Sequence, residues 1–255
     1  MAKRYDGTLL ITDLDGTMIS SDGSVSAENC EAIARFQQNG GTFSVATGRL
    51  PTHFAQFADT FVPNAPVITF NGAGIYDLSQ NKMICCRRIP VPLAKLMHAA
   101  EPFAAEMESV ILNSESRREY LPWAQAQENL PELDREAWLK MIFVFREEAA
   151  AVRAQLALRR SSPGEFCDFS RSWCVGVEVL DKQATKGCAV KVLRAMLPQI
   201  NRVVCIGDYE NDLSMLREAD LGVAVGNALE VVKQAADRVT VTNNENAIAA
   251  LIDSL

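Results

Sequence analysis

The chain has 255 residues, of which 48% are hydrophobic and 22% are charged, and its formal net charge is -7. This length is enough for a substantial core, either as one large domain or as a core with an insertion. The acidic balance argues against a broad surface for nucleic acid or for an anionic membrane, although a metal and a few local cations still permit a small anionic ligand in a cleft. No apolar run approaches the roughly 20 residues of a membrane span. We therefore expect a cytoplasmic protein with no nucleic-acid or membrane partner.

The first part of the chain alternates between strand and helix patterns. Strands are predicted over residues 8–12, 42–46, 66–70, 74–77 and 83–87. Ser26, followed by apolar residues at helical spacing, predicts a helix from 27 to about 39 that Gly40-Gly41 ends. Pro51 predicts the start of another helix, and Asn71-Gly72 predicts a turn. This alternation indicates a parallel sheet covered on both faces.

The pattern changes at the prolines near residue 90 and returns to its first form after Asp181. The middle part has helices predicted over 93–107 and 147–158 and strands predicted over 108–112, 140–145, 165–169 and 173–180. The polar stretch 115–135 predicts no definite element. The last part has helices predicted from 185, after 212 and over 246–252, and strands over 202–206 and 221–225. We predict an α/β protein with a discontinuous core, 1–88 and 181–255, and an inserted α+β domain over 89–180.

Four polar clusters fall where predicted core strands end or where a core helix begins. They are Asp13 with Asp15, Thr47-Gly48-Arg49, Lys186-Gly187, and Gly207-Asp208 through Asn211-Asp212. Ligands of open parallel sheets bind at the carboxyl ends of the strands, so this coincidence favours a shared site.

The first cluster also indicates a type of chemistry. Asp13 and Asp15 follow one apolar strand, and two nearby carboxylates are costly unless something positive lies between them. A divalent metal and a phosphate would supply that need, which suggests phosphoryl transfer.

These clusters resemble the four motifs of the haloacid dehalogenase-like hydrolases. Asn71-Gly72-Ala73 and Gly226-Asn227-Ala228 match further signatures of the Cof-type sugar-phosphatase branch. The resemblance implies a Rossmann-like core with an α/β cap that is inserted after the third core strand and that selects the substrate.

The resemblance also implies roles for the acidic residues. Asp13 would be the nucleophile and form an aspartyl-phosphate, and Asp15 would act as general acid and then as general base. The Mg²⁺ ligands would be the Asp13 carboxylate, the Asp15 backbone carbonyl and the Asp208 carboxylate, with Asp212 holding waters of the metal. Asp208 and Asp212 could also cap a helix.

Lys186 and the polar residues of the other motifs would bind phosphate and substrate. Thr47 and Gly48 would approach a phosphoryl oxygen, and Lys186 would restrain Asp13 and offset charge in the transition state. Asn211 would hold phosphate or cap a turn, and Asn71 would border the substrate pocket or simply form a turn. Arg49 would bind phosphate or pair with an acidic neighbour.

We therefore expect a Mg²⁺-dependent phosphatase for small phosphorylated metabolites, with sugar phosphates as the leading class. Hexose phosphates, pyridoxal phosphate and flavin mononucleotide all fit the resemblance. A phosphomutase-like transferase has similar core motifs, and a non-catalytic sugar-phosphate sensor would keep the fold. The intact aspartate pair disfavours the sensor, because a protein that only binds needs no nucleophile. The sequence assigns no oligomeric state.

Overall fold

A computed structural model describes residues 3–52, 57, 60–115 and 117–255, with the backbone alone at Ser172. The chain forms two compact units, Met1–Cys85 with Lys186–Leu255, and Cys86–Thr185. Most of the helix predicted after Pro51 lies outside the described residues, and Pro51 and Thr52 themselves are in 3-10 conformation.

A five-stranded parallel sheet forms the centre of the first unit. Its strands, in spatial order, are β13 (Arg238–Val239), β12 (Leu221–Ala224), β11 (Arg202–Gly207), β1 (Thr8–Thr12) and β2 (Thr42–Val45). All five residues of β1 are buried, which explains why this strand is apolar throughout instead of alternating. Since the strands are parallel, the residues that follow β1, β2 and β11 lie at one edge of the sheet.

Within the described residues, the α-helices of the first unit are α1 (Ala27–Gln38), α6 (Lys186–Met196), α7 (Leu213–Glu218), α8 (Glu230–Ala235) and α9 (Ala247–Ser254). Ser26 caps α1 by accepting a hydrogen bond from the Asn29 backbone N–H, as the sequence predicts. Ala32, Ile33 and Phe36 form the buried stripe of α1. This helix packs against α9, and the Asn29 side chain accepts from the Ala249 backbone N–H at 3.0 Å.

The strand predicted over 66–70 does not extend the central sheet. β3 (Val67–Thr69) instead belongs to a small sheet with β4 (Gly74–Asp77) and β5 (Lys82–Cys86), in which β3 and β4 are antiparallel. A single parallel bridge, between Ala46 and Ile68, lies next to the end of β2. The short turn after β3 explains why β3 and β4 are antiparallel, because parallel neighbours need a longer crossover connection.

The second unit is an antiparallel sheet with helices. Its strands, in spatial order, are β7 (Arg118–Pro122), β6 (Met107–Asn113), β8 (Lys140–Phe145), β10 (Gly176–Asp181) and β9 (Cys167–Trp173). Its helices are α2 (Leu93–Ala100), α3 (Trp123–Glu128), α4 (Leu130–Leu133) and α5 (Glu148–Arg159). Apolar residues of α2 and α5 share one hydrophobic cluster with one face of this sheet. The unit therefore has the α+β composition that the sequence predicts.

Several predicted bounds in the second unit are wrong. The helix predicted to 107 ends at Ala100 and continues as a 3-10 helix over Glu101–Glu106, where Pro102 cannot donate the hydrogen bond of an α-helix. The strand predicted from 173 begins at Gly176, because β9 runs on to Trp173 before a tight hairpin. The stretch left without an element forms β7, α3 and α4.

The helices are short. The longest among the described residues, α1 and α5, have 12 residues each. None of the helices in the described ranges combines the length and the apolar content that a bilayer crossing requires.

Phe36 is a direct test of the α1 packing, because its side chain is fully buried and its ring lies 4.8 Å from that of Tyr5. We expect Phe36→Ala to lower the free energy of unfolding of the first unit by about 3–5 kcal/mol, through lost burial and a cavity. Urea unfolding followed by fluorescence and circular dichroism measures this change. Val62→Ala, at a side chain that is 65% exposed, is the control and should change stability by less than about 0.5 kcal/mol.

Candidate active site

The carboxyl edge of the central sheet brings the predicted motifs together in the first unit. Asp13 follows β1, and its backbone N–H donates to the Ile206 carbonyl of β11 at 3.0 Å. Thr47 lies two residues after β2, and Asp208 follows β11 directly. Lys186 is the first residue of α6, as its position in the motif order predicts.

Lys186 connects two carboxylates. Its Nζ donates to Asp13 Oδ1 and to Asp212 Oδ1, at 2.6 Å in both cases. The lysine side chain is fully buried, and the side chains of Asp13 and Asp212 are 8% and 1% exposed. The three residues thus form a desolvated, charge-assisted network in which one ammonium serves two acceptors.

Burial and charge determine the protonation of this network. Burial by itself would lower the pKa of Lys186, but Asp13 and Asp212 together raise that pKa above its usual value. Burial raises the pKa of Asp13 well above its usual range. The ammonium of Lys186 opposes this shift, and the carboxylates of Asp212 and Asp208 add to it. Lys186 is therefore the positive charge that stabilises the ionised form of Asp13.

Thr17 holds the Asp208 carboxylate through a hydrogen bond, and Gly16 leaves the space that this carboxylate occupies. Thr17 is fully buried, and its Oγ1 donates to Asp208 Oδ1 at 2.8 Å. Gly16 has a φ of +82°, and a Cβ at this position would lie 2.6 Å from Asp208 Oδ2. Only glycine satisfies both constraints, since other residues disfavour this φ and would collide with the carboxylate.

Asp212 organises the loop that carries Asp208. Its Oδ2 accepts from the backbone N–H groups of Asp208 and Tyr209, at 2.9 and 3.1 Å, while its Oδ1 binds Lys186. The capping role considered for Asp212 and its place in the charged network thus occur together. Gly207 permits this arrangement, because a Cβ there would lie 2.5 Å from Asp212 Cγ.

Three carboxylates converge at this point. One oxygen from each of Asp13, Asp208 and Asp212 lies within 4.8 Å of the others. Burial, with a further contribution from Asp212, raises the pKa of Asp208 to about 7. With the single positive charge of Lys186, the three carboxylates have a formal net charge of -2. A divalent cation would balance this charge, and hard carboxylate oxygens are the ligands that such an ion prefers.

Asp15 points to a different partner from Asp13. Arg49 donates to it through two parallel hydrogen bonds, from Nε to Oδ2 at 2.9 Å and from Nη2 to Oδ1 at 2.5 Å. The Asp15 side chain is 57% exposed. Of the two possibilities for Arg49, pairing with an acidic neighbour is the one observed, and these hydrogen bonds raise the pKa of Arg49.

The Thr47 loop lies beside this pair. Thr47 is fully buried, and its Oγ1 accepts from the Arg49 backbone N–H at 3.2 Å. The hydroxyl hydrogen of Thr47 therefore remains a donor that can be directed to a ligand. Gly48, between these two residues, is half-buried.

Asn71 and Asn211 contact each other across two loops. Asn211 Nδ2 donates to Asn71 Oδ1 at 3.1 Å. The Oδ1 atom of Asn211 is buried and has no partner within the described part of the chain. The turn predicted at Asn71-Gly72 is a short 3-10 segment over Phe70–Gly72.

Two further residues support the site, and sequence reasoning assigned no role to either. Thr17 holds Asp208 as described above, and Asn227 Nδ2 donates to the Gly16 carbonyl at 2.8 Å. Thr17 ends the stretch Asp13-Leu14-Asp15-Gly16-Thr17 that carries the first motif, and Asn227 lies in Gly226-Asn227-Ala228, so the family resemblance marked both segments. Their contacts could not be read from that signal, because each joins segments about 190 or more residues apart along the chain.

Comparison with known proteins agrees with this geometry. A family model for haloacid dehalogenase-like hydrolases matches residues 10–252. A putative phosphatase of Haemophilus influenzae is 26% identical over 254 residues, covering 96% of each chain. The 5-amino-6-(5-phospho-D-ribitylamino)uracil phosphatase YcsE of Bacillus subtilis is 28% identical over 254 residues, covering 97% of this chain and 95% of that protein.

A solved structure has the same fold. It is a haloacid dehalogenase-like hydrolase from B. subtilis with a TM-score of 0.82 and 23% identity, and the match covers 97% of this chain and 99% of that one. The family match spans most of the chain, and the four motifs that indicated the family meet at one sheet edge. The chain belongs to the haloacid dehalogenase-like hydrolases and is a phosphoric monoester hydrolase.

Proposed function

We propose that the chain is a Mg²⁺-dependent phosphatase that hydrolyses small phosphomonoesters, with sugar phosphates as the leading class, through an aspartyl-phosphate. The observation that carries this proposal is the Asp13 carboxylate at the sheet edge. It is hydrogen-bonded to buried Lys186 and lies within 4.8 Å of the Asp208 and Asp212 carboxylates. A nucleophile in such a position needs a neighbouring cation to remain ionised and a positive field to approach an anionic substrate.

In the first step, Asp13 attacks phosphorus and the bond between phosphorus and the ester oxygen breaks. Lys186 holds Asp13 Oδ1, which leaves Oδ2 as the attacking oxygen. Asp15 in its protonated form gives its proton to the leaving oxygen, so that an alcohol departs, Asp15 becomes a carboxylate and Asp13 carries the phosphoryl group. In the second step, Asp15 takes a proton from water and the water oxygen attacks phosphorus. The bond between phosphorus and the Asp13 oxygen breaks, inorganic phosphate leaves, and the Asp13 carboxylate and protonated Asp15 are restored.

Arg49 orients Asp15 for these proton transfers. The two parallel hydrogen bonds hold the plane of the Asp15 carboxylate, which otherwise would rotate freely at an exposed position. Thr47 and Gly48, in the loop that also carries Arg49, would bind a phosphoryl oxygen, with the Thr47 hydroxyl as a donor. The second hydrogen of Asn211 Nδ2 is a further donor for that group.

The acidic cluster fits Mg²⁺. The Asp13 and Asp208 carboxylates and the Asp15 backbone carbonyl would hold the ion, and Asp212 would orient its waters. When bound, the ion offsets the negative charge of the phosphoryl oxygens and of the carboxylates around them.

The second unit is the proposed cap, which selects the organic part of the substrate. The YcsE relative is a phosphatase of a phosphorylated ribitylaminouracil, so this compound joins hexose phosphates, pyridoxal phosphate and flavin mononucleotide as a candidate. Like flavin mononucleotide, it is a phosphate ester on an open ribityl chain. All of these are small phosphomonoesters, which agrees with a site in which the core recognises the phosphate.

Asp13→Asn tests the nucleophile. We expect the turnover of p-nitrophenyl phosphate to fall by about a thousandfold or more, because an amide cannot form the covalent intermediate. Circular dichroism should be unchanged, since the two side chains have nearly the same shape. Asp22→Asn removes the same charge from an exposed turn and should retain full activity. Turnover by Asp13→Asn equal to that of the parent would refute the assignment.

The pH dependence of the free energy of unfolding, measured in EDTA so that no metal is bound, tests the raised pKa in the acidic cluster. The pKa of Asp208 is about 7 in the folded protein and near 4 in the unfolded chain. The folded state therefore binds the extra proton, and the free energy of unfolding should fall as pH rises from about 4 to about 7 and then level off. The slope from this group is at most about 1.4 kcal/mol per pH unit.

Asp208→Asn is the control for this measurement, because it removes the titrating carboxyl group and, with it, the contribution of this group to the raised pKa of Asp13. The parent should lose unfolding free energy as pH rises, relative to the variant, because only the parent has the Asp208 carboxyl group. Saturating Mg²⁺ should remove this component by keeping Asp208 ionised. A parent whose stability has the same pH profile as that of Asp208→Asn would contradict the assignment.

A substrate panel distinguishes the possible functions. We expect release of inorganic phosphate from several small phosphomonoesters with Mg²⁺ and none with EDTA. Appearance of phosphate at a second position of a sugar, without release, would identify a mutase. Binding of sugar phosphates with no turnover of any compound would identify a sensor. Panel members should include a hexose 6-phosphate, pyridoxal phosphate, flavin mononucleotide and a phosphorylated ribitylaminouracil.

A further inference from the structure

The segment Phe70–Gly72 has an unusual backbone. Phe70, Asn71 and Gly72 have φ values of 50°, 57° and 107°, so three successive residues lie in the left-handed region. Phe70 is fully buried and Asn71 is 1% exposed. Such a conformation is disfavoured at a residue other than glycine and persists only where the surroundings impose it.

The backbone of this segment is joined to the Thr47 loop. The Asn71 backbone N–H donates to the Thr47 carbonyl at 2.9 Å, and the Phe70 N–H donates to the Arg49 carbonyl at 3.3 Å. The same loop carries the Thr47 hydroxyl and the guanidinium that holds Asp15. The position of Phe70–Gly72 is thereby coupled to the loop that we assign to phosphate binding.

The side chain of Asn71 is joined to a second loop. Its Oδ1 accepts from Asn211 Nδ2 at 3.1 Å. Asn211 directly precedes Asp212, whose carboxylate binds Lys186 and two backbone N–H groups. A displacement of Asn211 would therefore also disturb the network around Asp13.

We propose that Asn71 is a positioning residue that connects the Thr47 loop to the Asn211 loop, and that it acts on the reaction through Asn211 instead of through contact with the substrate. This inference rests on the proposed function. The left-handed backbone at residue 71 points the side chain to Asn211 while its N–H stays bonded to Thr47. The hydrogen bond fixes the orientation of the Asn211 amide, and with it the direction of the second Nδ2 hydrogen.

The residue type at position 71 agrees with this role. Asparagine tolerates the left-handed region better than other residues with a side chain, and its Oδ1 supplies the acceptor. Glycine at this position would adopt the same positive φ but would have no acceptor for Asn211. Asn71→Gly therefore removes the contact with Asn211 without adding strain, and it separates the two contributions of the asparagine.

The experiment is a double-mutant cycle with Asn71→Gly and Asn211→Ala, measured as kcat and KM for p-nitrophenyl phosphate and for flavin mononucleotide. We expect Asn71→Gly to lower kcat by about two- to tenfold, the value of one hydrogen bond, and by the same factor for both compounds. KM should change by less than about twofold. Adding Asn71→Gly to Asn211→Ala should cause no further loss, because the two residues act as one unit.

Asn246→Gly is the matched control. Asn246 also has a positive φ, 63°, and its side chain makes no capping hydrogen bond to the helix it precedes. Its replacement should leave kcat and KM unchanged. An unchanged kcat in Asn71→Gly, a KM effect that differs between the two compounds, or losses that multiply in the double variant would overturn the proposal.

The free energies of unfolding of the same four proteins, measured in urea, test the Asn71–Asn211 contact without relying on phosphatase activity. A parent without phosphatase activity would reject the proposed function. The positioning contact would then be judged by stability alone. A double variant whose stability change differs from the sum of the single changes supports the Asn71–Asn211 coupling, and an additive result rejects it.

Discussion

The site depends on one buried ammonium group. Lys186 compensates the charge of two desolvated carboxylates of the acidic cluster, Asp13 after β1 and Asp212 in the loop after β11. A buried carboxylate without a partner would either be protonated or destabilise the fold. Because the lysine is the first residue of α6, the position of this helix on the sheet also determines where the Asp13 carboxylate is held.

Hydrogen bonds between loops extend this arrangement around the sheet edge. Thr17 holds Asp208, Arg49 holds Asp15, and Asn211 donates to Asn71. Each contact joins the ends of different strands or segments, so the geometry of one loop constrains the next. An active site needs such support, because small errors in the position of reacting groups reduce the rate strongly.

The helices and strands that depend on a local sequence pattern were predicted correctly from the sequence. β1 is an apolar run between polar residues, and α1 has a serine cap, a 3.6-residue apolar period and a glycine stop. The bounds near 107 and 173 are wrong for local reasons, since a proline and a tight hairpin intervene. The stretch 115–135 could not be assigned, because its short elements are stabilised by burial of residues such as Trp123 and Leu133 against the second unit's sheet and not by their own pattern.

Motif identity and order were enough to indicate the family, the sheet edge and the chemical types of the site residues. Which side chain meets which was decided by the tertiary structure. Arg49 could have faced phosphate or a carboxylate, and the structure pairs it with Asp15, 34 positions away. Asn71 pairs with Asn211 across 140 positions. Spacing along the chain carries no information on such contacts, because they depend on the directions in which separate loops leave the sheet.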